Sequence, residues 1–219
     1  MNAERVTLLA SDKAIAYGRC MTFSEYCLSQ EDQGDLLRMR YAETRLAAAL
    51  QAAMSEYGDT LSVVVLVADE DPDTIAVLPV IARLLAVSQR IHLRILTDDD
   101  IHPLTVLLPD LDTAAALEEW DLPQFLIFDE EWELQTQWGP RPAQAERNLT
   151  EWLSRYPEYE RLADDESAEA QRRYAELTIL LTHEMRVWYN SALAAACQQE
   201  FCNALATLLP ADEPNEDEG

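Results

Sequence analysis

The chain has 219 residues, 48% of them apolar, so it can bury one core of ordinary size with a helical extension, or at most two small cores. Its 41 acidic and 16 basic residues give a formal net charge of −25, the opposite sign to that needed for sequence-independent binding to nucleic acid or anionic lipid. Neither nucleic acid nor a membrane is therefore expected as a partner. We interpret most of the acidity as a solvated surface, and leave a high-salt environment or a GC-rich genome open as explanations because Lys13 is the only lysine.

The four cysteines form neither a redox motif nor a zinc motif. Cys20, Cys27, Cys197 and Cys202 include no CxxC pair and no metal-type spacing with a histidine. On one helix the last two would have Cα atoms roughly 8 to 9 Å apart, which is beyond disulfide reach. We interpret all four as small buried side chains in a reducing compartment. With no signal peptide, no long apolar span and no phosphate-binding glycine loop, a cytoplasmic, soluble protein without a cofactor is expected.

The N-terminal quarter of the chain is predicted to be helical. Thr22 and Glu25 have the spacing of a capping box, so a short helix is expected to begin at Thr22. Gly34 is predicted to end that region. From residue 35 apolar side chains recur at helical spacing as far as Gly58, which suits a C-terminal cap. This pattern predicts a single long helix.

The centre of the chain is predicted to be a strand, helix, strand unit. Residues 61–67 are apolar and β-branched without alternation, which is typical of a parallel strand covered on both faces. An acidic turn follows, Pro72 suits the first turn of a helix that runs to about Val87, and residues 91–96 predict a second strand. The two strands should be parallel neighbours with a right-handed crossover. The acidic turn then lies at the carboxyl end of a strand, where open α/β sheets place their sites.

A hairpin and more helices are predicted to follow. Two short apolar runs, residues 124–128 and 132–138, predict an antiparallel hairpin. After a rigid glycine-proline turn, residues 143–156 have an amphipathic helical pattern. Residues 166–209 have a helical pattern too long for one globular helix, so a break is predicted, with Thr182 as the cap of the second helix.

The order of these elements resembles the thioredoxin fold over about residues 56–155. The segment VLVADEDPDTIAVLP is similar to the active-site segment of a bacterial thioredoxin-like group that carries Trp-Cys-Gly-Asp where thioredoxin has Trp-Cys-Gly-Pro-Cys. Leu122 and Pro123 stand where the family has its cis-proline. The WGPR turn of the group is resembled by Trp138, Gly139, Pro140, Arg141 and Pro142.

The resemblance implies an α/β, thioredoxin-like fold, with a mixed sheet of about four strands flanked by helices. It divides the chain into an N-terminal helical extension (residues 1–55), a thioredoxin-like domain (56–157), a C-terminal helical extension (158–209) and an acidic tail (210–219). The tail has nothing to bury and is expected to be disordered.

The resemblance also implies that the redox chemistry of the family is absent. The active-site positions of the group are matched in order by Glu70 (tryptophan), Asp71 (first cysteine), Pro72 (glycine), Asp73 (aspartate) and Thr74 (second cysteine of a full CxxC). Disulfide exchange needs a thiolate nucleophile and a second thiol that resolves the mixed disulfide. Neither Asp71 nor Thr74 can supply one, so no thiol–disulfide oxidoreductase activity is expected.

The first function that the sequence favours is a redox-inactive protein-binding or scaffold module. We call its expected contact surface the vestigial active-site face, which comprises Asp69, Glu70, Asp71, Pro72, Asp73, Thr74, Leu122, Pro123, Trp138, Gly139 and Arg141. Because the family's cis-proline leaves backbone groups free to pair with an extended chain, a protein or peptide partner is expected. A homo-oligomer is left open. An equally good explanation of Pro123 and the glycine turn is that they serve the backbone conformation alone.

The alternative function is an enzyme or metal-dependent protein that uses the acidic cluster of the same face. Asp69, Asp71 and Asp73, with residues 98–100 at the end of the next strand, could supply oxygen ligands for calcium or magnesium. The spacing does not match an EF-hand loop, because the sixth position is Thr74 and not glycine. Acids at a helix start are also stabilised by the helix dipole, and this explanation is favoured. Asp71 is accordingly expected to be exposed and ionised at neutral pH.

Overall fold

A computed structural model describes residues 3–31, 33–69 and 71–208 of the chain. The predicted disorder of residues 210–219 lies outside these described residues, and so does Glu70 of the vestigial active-site face. Among the helices of this described part, none is both long and apolar enough to cross a membrane.

The centre of the protein is a mixed sheet of four strands. In chain order these are β1 (Leu61–Val67), β2 (Ile91–Thr97), β3 (Gln124–Phe128) and β4 (Leu134–Trp138). Their order across the sheet is β2-β1-β3-β4, with β1 parallel to β2 and antiparallel to β3. The predicted parallel pair, the hairpin and the α/β fold are therefore confirmed. The second hairpin strand begins two residues later than predicted, because Trp132 has a left-handed φ of 64° and packs its ring 5.3 Å from that of Tyr17.

Helices cover both faces of the sheet. They are α1 (Ala3–Arg19), α2 (Phe23–Ser29), α3 (Gly34–Glu43), α4 (Ala48–Glu56), α5 (Pro72–Leu85), α6 (His102–Leu107), α7 (Thr113–Glu119), α8 (Ala143–Arg155), α9 (Tyr159–Ala163), α10 (Ala168–Tyr189) and α11 (Ala192–Ala206). Alternate side chains of β1 enter different cores: Val63 and Val65 lie in the core below α5, whereas Val64 and Leu66 lie in a smaller core with α1 and α6. This two-sided burial explains why β1 is apolar without alternation.

The helix that follows the acidic turn, α5, is the most enclosed of the described helices. Twelve of its fourteen residues are buried, with Pro72 and Arg83 as the exceptions. It packs on the sheet and is contacted by α3 and α4 from the N-terminal extension and by α10 and α11 from the C-terminal one.

The capping box at the start of α2 is confirmed. The Thr22 backbone N–H donates to Glu25 Oε2 at 2.7 Å, and the Glu25 N–H donates to Thr22 Oγ1 at 3.2 Å. Just before this cap, Met21 forms a pair of backbone hydrogen bonds with Ile95 on the outer edge of β2, at 2.9 and 2.7 Å. The outer edge of β2 is thus closed at that point.

The prediction of one helix over residues 35–58 is wrong, because α3 ends at Glu43 and α4 begins at Ala48. The interruption is stabilised from a distant helix. The buried Gln198 side chain accepts the Ala47 N–H at 3.1 Å and donates to the Arg45 carbonyl at 2.9 Å. Gly34 also does not end a segment. It begins α3, and a Cβ there would overlap the Cys27 carbonyl oxygen, so α2 and α3 pack closely only with glycine at this position.

The break predicted within residues 166–209 is present between α10 and α11, but its predicted position at Thr182 is wrong. Thr182 lies inside α10 and its hydroxyl donates to the Thr178 carbonyl at 2.8 Å. The helix ends at Tyr189, and the side-chain amide of the C-cap residue Asn190 donates to Glu43 at 3.3 Å, next to an ion pair between Arg186 and the same carboxylate. The end of α10 thus contacts the end of α3. Contacts between such distant parts of the chain cannot be predicted from local sequence.

Candidate functional site

The acidic turn closes the N-terminus of α5 with a side-chain cap. Asp71 is the N-cap residue, and its Oδ2 accepts the Thr74 backbone N–H at 2.5 Å. Pro72 follows in the first helical position, where a missing N–H removes no helical hydrogen bond. The two positions that the resemblance assigns to thiols are therefore hydrogen-bonded to each other.

Asp71 is half-buried, so the prediction of an exposed carboxylate is wrong. Burial raises the pKa of Asp71, and the cap hydrogen bond to Thr74 and the charge of Arg141 oppose that rise. Thr74 is 1% exposed, and its hydroxyl oxygen has no hydrogen-bond partner among the described residues. Position 74 is therefore inaccessible from solvent.

Asp73 is buried in the first turn of α5 and forms an ion pair with Arg141 from the turn after β4. The same guanidinium donates to Glu146 at 2.6 Å. Burial raises the pKa of Asp73 to about 7; Arg141 opposes this rise and the charge of Asp71 adds to it. The second oxygen, Oδ1, has no hydrogen-bond partner within the described part of the chain. Sequence reasoning placed both residues on one face and did not foresee that they pair.

The hydrogen bonds of Asp69 differ from those of Asp71 and Asp73. It is exposed and accepts hydrogen bonds from the Tyr26 hydroxyl at 3.1 Å and the Gln30 side-chain amide at 2.9 Å. Over residues 3–31, 33–69 and 71–208, no three His, Cys, Asp or Glu side chains are arranged to hold a metal ion. The geometry of the acidic cluster therefore gives no support to the alternative of a cation site.

The predicted cis-proline and the glycine turn lie against each other. The peptide bond between Leu122 and Pro123 is cis, as the resemblance implies, and the bond between Gly139 and Pro140 is cis too. Gly139 has a φ of 144°, and a Cβ there would overlap the Pro123 carbonyl oxygen. Trp138 packs on Phe201 of α11, with ring centroids 5.5 Å apart. A C-terminal helix thus covers this end of the vestigial active-site face.

A cavity of about 930 Å³ lies beside the start of α5, and we call it the acidic cavity. From the vestigial active-site face it is lined by Asp69, Asp71, Pro72, Asp73 and Arg141, but not by Leu122, Pro123, Trp138 or Gly139. The structure therefore brings together the acidic turn and Arg141, and places the cis-proline outside the cavity.

The opposite wall of the acidic cavity comes from α8, α9 and α10, which sequence reasoning did not assign to the site. Tyr159 and Tyr174 stack there, with ring centroids 4.9 Å apart and planes 23° from parallel. The Tyr159 hydroxyl lies 3.2 Å from Thr178 Oγ1. The apolar spacing of α10 predicted a core element, and no local signal distinguishes a core tyrosine from one that lines a cavity.

Comparison with a protein-family model agrees with this architecture. The family model described as thioredoxin matches residues 20–154. A crystal structure of an HIV epitope scaffold is 19% identical and aligns over 82% of this chain and 98% of its own, with a TM-score of 0.49. A protein of unknown function from Pseudomonas aeruginosa is 17% identical and aligns over 82% and 92%, with a TM-score of 0.43. No curated protein matches. The family match spans more than half of the chain, and the chain belongs to the thioredoxin family.

Proposed function

We propose that the chain is a redox-inactive member of the thioredoxin family that binds a protein partner through the acidic cavity. The observation that carries this proposal is the arrangement at the start of α5. The positions that would hold the reactive thiols are a capping aspartate and a buried threonine, and the same turn opens on a cavity of about 930 Å³. A cavity of this size suits a side chain or short segment of a partner.

The cysteines elsewhere in the chain do not offer substitute redox chemistry. Cys20, Cys27 and Cys197 are buried, and burial raises the pKa of each thiol, to about 11 for Cys20. Cys202 is partly exposed, and burial also raises its pKa to about 11. A thiol with a raised pKa is protonated at neutral pH and is a poor nucleophile.

The charges around the acidic cavity favour a basic partner. Its lining contains Asp69, Asp71 and Glu160 in addition to Asp73, whereas Arg141 is held by Asp73 and Glu146. The stacked pair of tyrosines supplies aromatic surface, on which the stem of a lysine or arginine packs well. We therefore expect a partner segment that inserts a basic side chain between the acidic turn and α10. His183 also lines the cavity and contributes no negative charge.

The test is affinity capture with the native protein, followed by mass spectrometry and by fluorescence anisotropy with labelled basic and acidic peptides of equal length. Asp71→Asn should weaken both capture and the binding of the basic peptide, with little change in melting temperature. Asp112→Asn is the matched control, because Asp112 is also an N-cap aspartate, accepting the Ala115 N–H at 3.2 Å, but does not line the cavity. Equal binding by wild type and Asp71→Asn, or equal losses in both variants, would contradict the proposal.

A further inference from the structure

A second cavity, of about 870 Å³, lies at the other end of α5 from the acidic turn. Residues 82–88 form its floor, α2 and α3 form one wall, and the first half of β2 forms the other. We call it the arginine cavity because Arg38 and Arg94 line it. It shares no lining residue with the acidic cavity.

The charge of the arginine cavity is opposite to that of the chain. Although 41 of the 219 residues are acidic, the described residues that line this cavity include two arginines and no Asp or Glu. At long range, so acidic a protein repels anions. Any attraction of an anion to this cavity must therefore come from the positive charge concentrated inside it.

The two guanidinium groups retain capacity to bind an anion. Arg94 makes two long polar contacts, 3.5 Å to the Cys20 carbonyl and 3.9 Å to Glu25, its guanidinium carbon lies 5.8 Å from the centroid of the Tyr17 ring, and its side chain is 31% exposed. Arg38 donates to the Cys27 carbonyl at 3.1 Å and to Asp35 at 2.6 Å. The side chains of Glu25 and Asp35 are 62% and 95% exposed, and pairs with such exposed carboxylates are weak. An arginine has five N–H donors, so each of the two guanidinium groups can donate further hydrogen bonds to an anion.

Most of the other residues that line the arginine cavity are apolar or aromatic. The rings of Phe23 and Tyr41 are stacked with centroids 5.1 Å apart and planes 28° from parallel. Leu85, Ile91 and Leu93 complete this surface. A mainly apolar cavity with a few placed charges is the usual form of a small-molecule site.

We propose that the arginine cavity binds a small amphipathic anion, an organic carboxylate or sulfonate with an aromatic or branched aliphatic body. The anionic group pairs with the guanidinium of Arg94 and approaches that of Arg38, and the body lies on Phe23 and Tyr41. This site is independent of the acidic cavity and has the opposite charge selectivity. It does not depend on the function proposed for the acidic turn.

Two fluorescent probes test the proposal with the full chain. Anilinonaphthalene sulfonate carries an aromatic body and one sulfonate, and N-phenylnaphthylamine has the same rings without the charge. The sulfonate should bind the wild type at one saturable site, and Arg94→Gln should weaken that binding by about tenfold or more, because a charge-assisted hydrogen bond is lost. Binding of the neutral probe to the same variant should stay within about twofold.

Three further variants separate an effect of charge on binding from an effect on folding. Arg90→Gln removes an exposed arginine that does not line the cavity, and should leave the binding of both probes unchanged. Ser24→Glu places a carboxylate in the cavity lining at an exposed position of the first turn of α2, where an acid is favourable for the helix. It should weaken sulfonate binding as Arg94→Gln does, whereas Ser24→Gln should not. Unchanged sulfonate affinity in both Arg94→Gln and Ser24→Glu, or equal losses for the neutral probe, would overturn the proposal.

Discussion

Asp73 and Arg141 form an ion pair that joins the first turn of α5 to the turn after β4, across 68 positions of the chain. Both side chains are largely buried, with exposures of 11% and 15%. Removing Arg141 would leave the buried Asp73 carboxylate uncompensated, whereas removing Asp73 would leave Arg141 paired with Glu146.

Asp73 should make the stability of the protein depend on pH. Its folded-state pKa of about 7 is higher than the value of roughly 4 for an aspartate in an unfolded chain, so the folded protein binds more protons between these pH values. The free energy of unfolding should therefore fall as the pH rises from about 4 to about 7, and Asp73→Asn should flatten that slope. Urea unfolding of both proteins across this range measures the effect. A slope of opposite sign, or equal slopes in the two proteins, would show that Asp73 does not titrate in this way.

The cap at Asp71 should depend on a hydrogen-bond acceptor and not on a charge. Asp71→Ala removes the bond to the Thr74 N–H and should lower the free energy of unfolding by about 1 kcal/mol, whereas Asp71→Asn keeps an acceptor and should change it by less than about 0.5 kcal/mol. Chemical denaturation of the two variants at pH 7 makes the comparison. If both lower the stability equally, the carboxylate charge and not the cap is what stabilises the turn.

The protein should have no dithiol oxidoreductase activity. Asp71 and Thr74 stand at the positions that the resemblance assigns to the reactive thiols, and burial raises the pKa of each of the four cysteine thiols. In an insulin reduction assay with dithiothreitol, the rate should equal that of buffer alone. A faster rate that disappears when any one cysteine is replaced by serine would refute this prediction.

Gln198 should be important for the interruption between α3 and α4. Gln198→Ala removes the two hydrogen bonds by which the buried Gln198 side chain holds the exposed residues Arg45 and Ala47, which should lower the free energy of unfolding by roughly 1 to 3 kcal/mol. Gln199→Ala is the control, because Gln199 is exposed and its side chain bonds, among the described residues, only to Asn203 in its own helix, so a change below about 0.5 kcal/mol is expected. Thermal and urea denaturation should rank the two variants in this order.

The turn after β4 should tolerate only glycine at position 139. Gly139→Ala places a Cβ on the Pro123 carbonyl oxygen at a φ of 144°, and should lower the free energy of unfolding by about 2 kcal/mol or more. Gly58→Ala meets no atom within 4 Å and should be neutral or slightly stabilising. A lower free energy of unfolding for Gly139→Ala but not for Gly58→Ala, measured in one denaturation series, would support this prediction. A neutral Gly139→Ala would contradict it.

Local sequence was sufficient to predict the elements whose pattern depends on nearby residues. β1 is an apolar run that ends at an acidic turn, β3 and β4 follow a proline, and Thr22 and Glu25 form their capping box within four residues. The acidic turn was placed correctly at the carboxyl end of β1 for the same reason.

The features that were missed depend on residues far apart in the chain. Gln198 contacts the break after α3 from about 150 positions away, and Glu43 binds Asn190 at the end of α10. The burial of Asp71 follows from the helices that surround the acidic cavity. Single-sequence patterns contain none of this information, because they record which residues alternate and not which elements meet.

The enclosure of α5 has a consequence for how the protein unfolds. Because both terminal extensions and the sheet pack on this one helix, loss of either extension would expose its apolar surface to water. We therefore expect the two terminal extensions and the domain between them to unfold as one cooperative unit. The amide protons of α5 should then exchange only when the whole chain opens. A fragment limited to residues 56–157 would then be prone to aggregate instead of folding by itself.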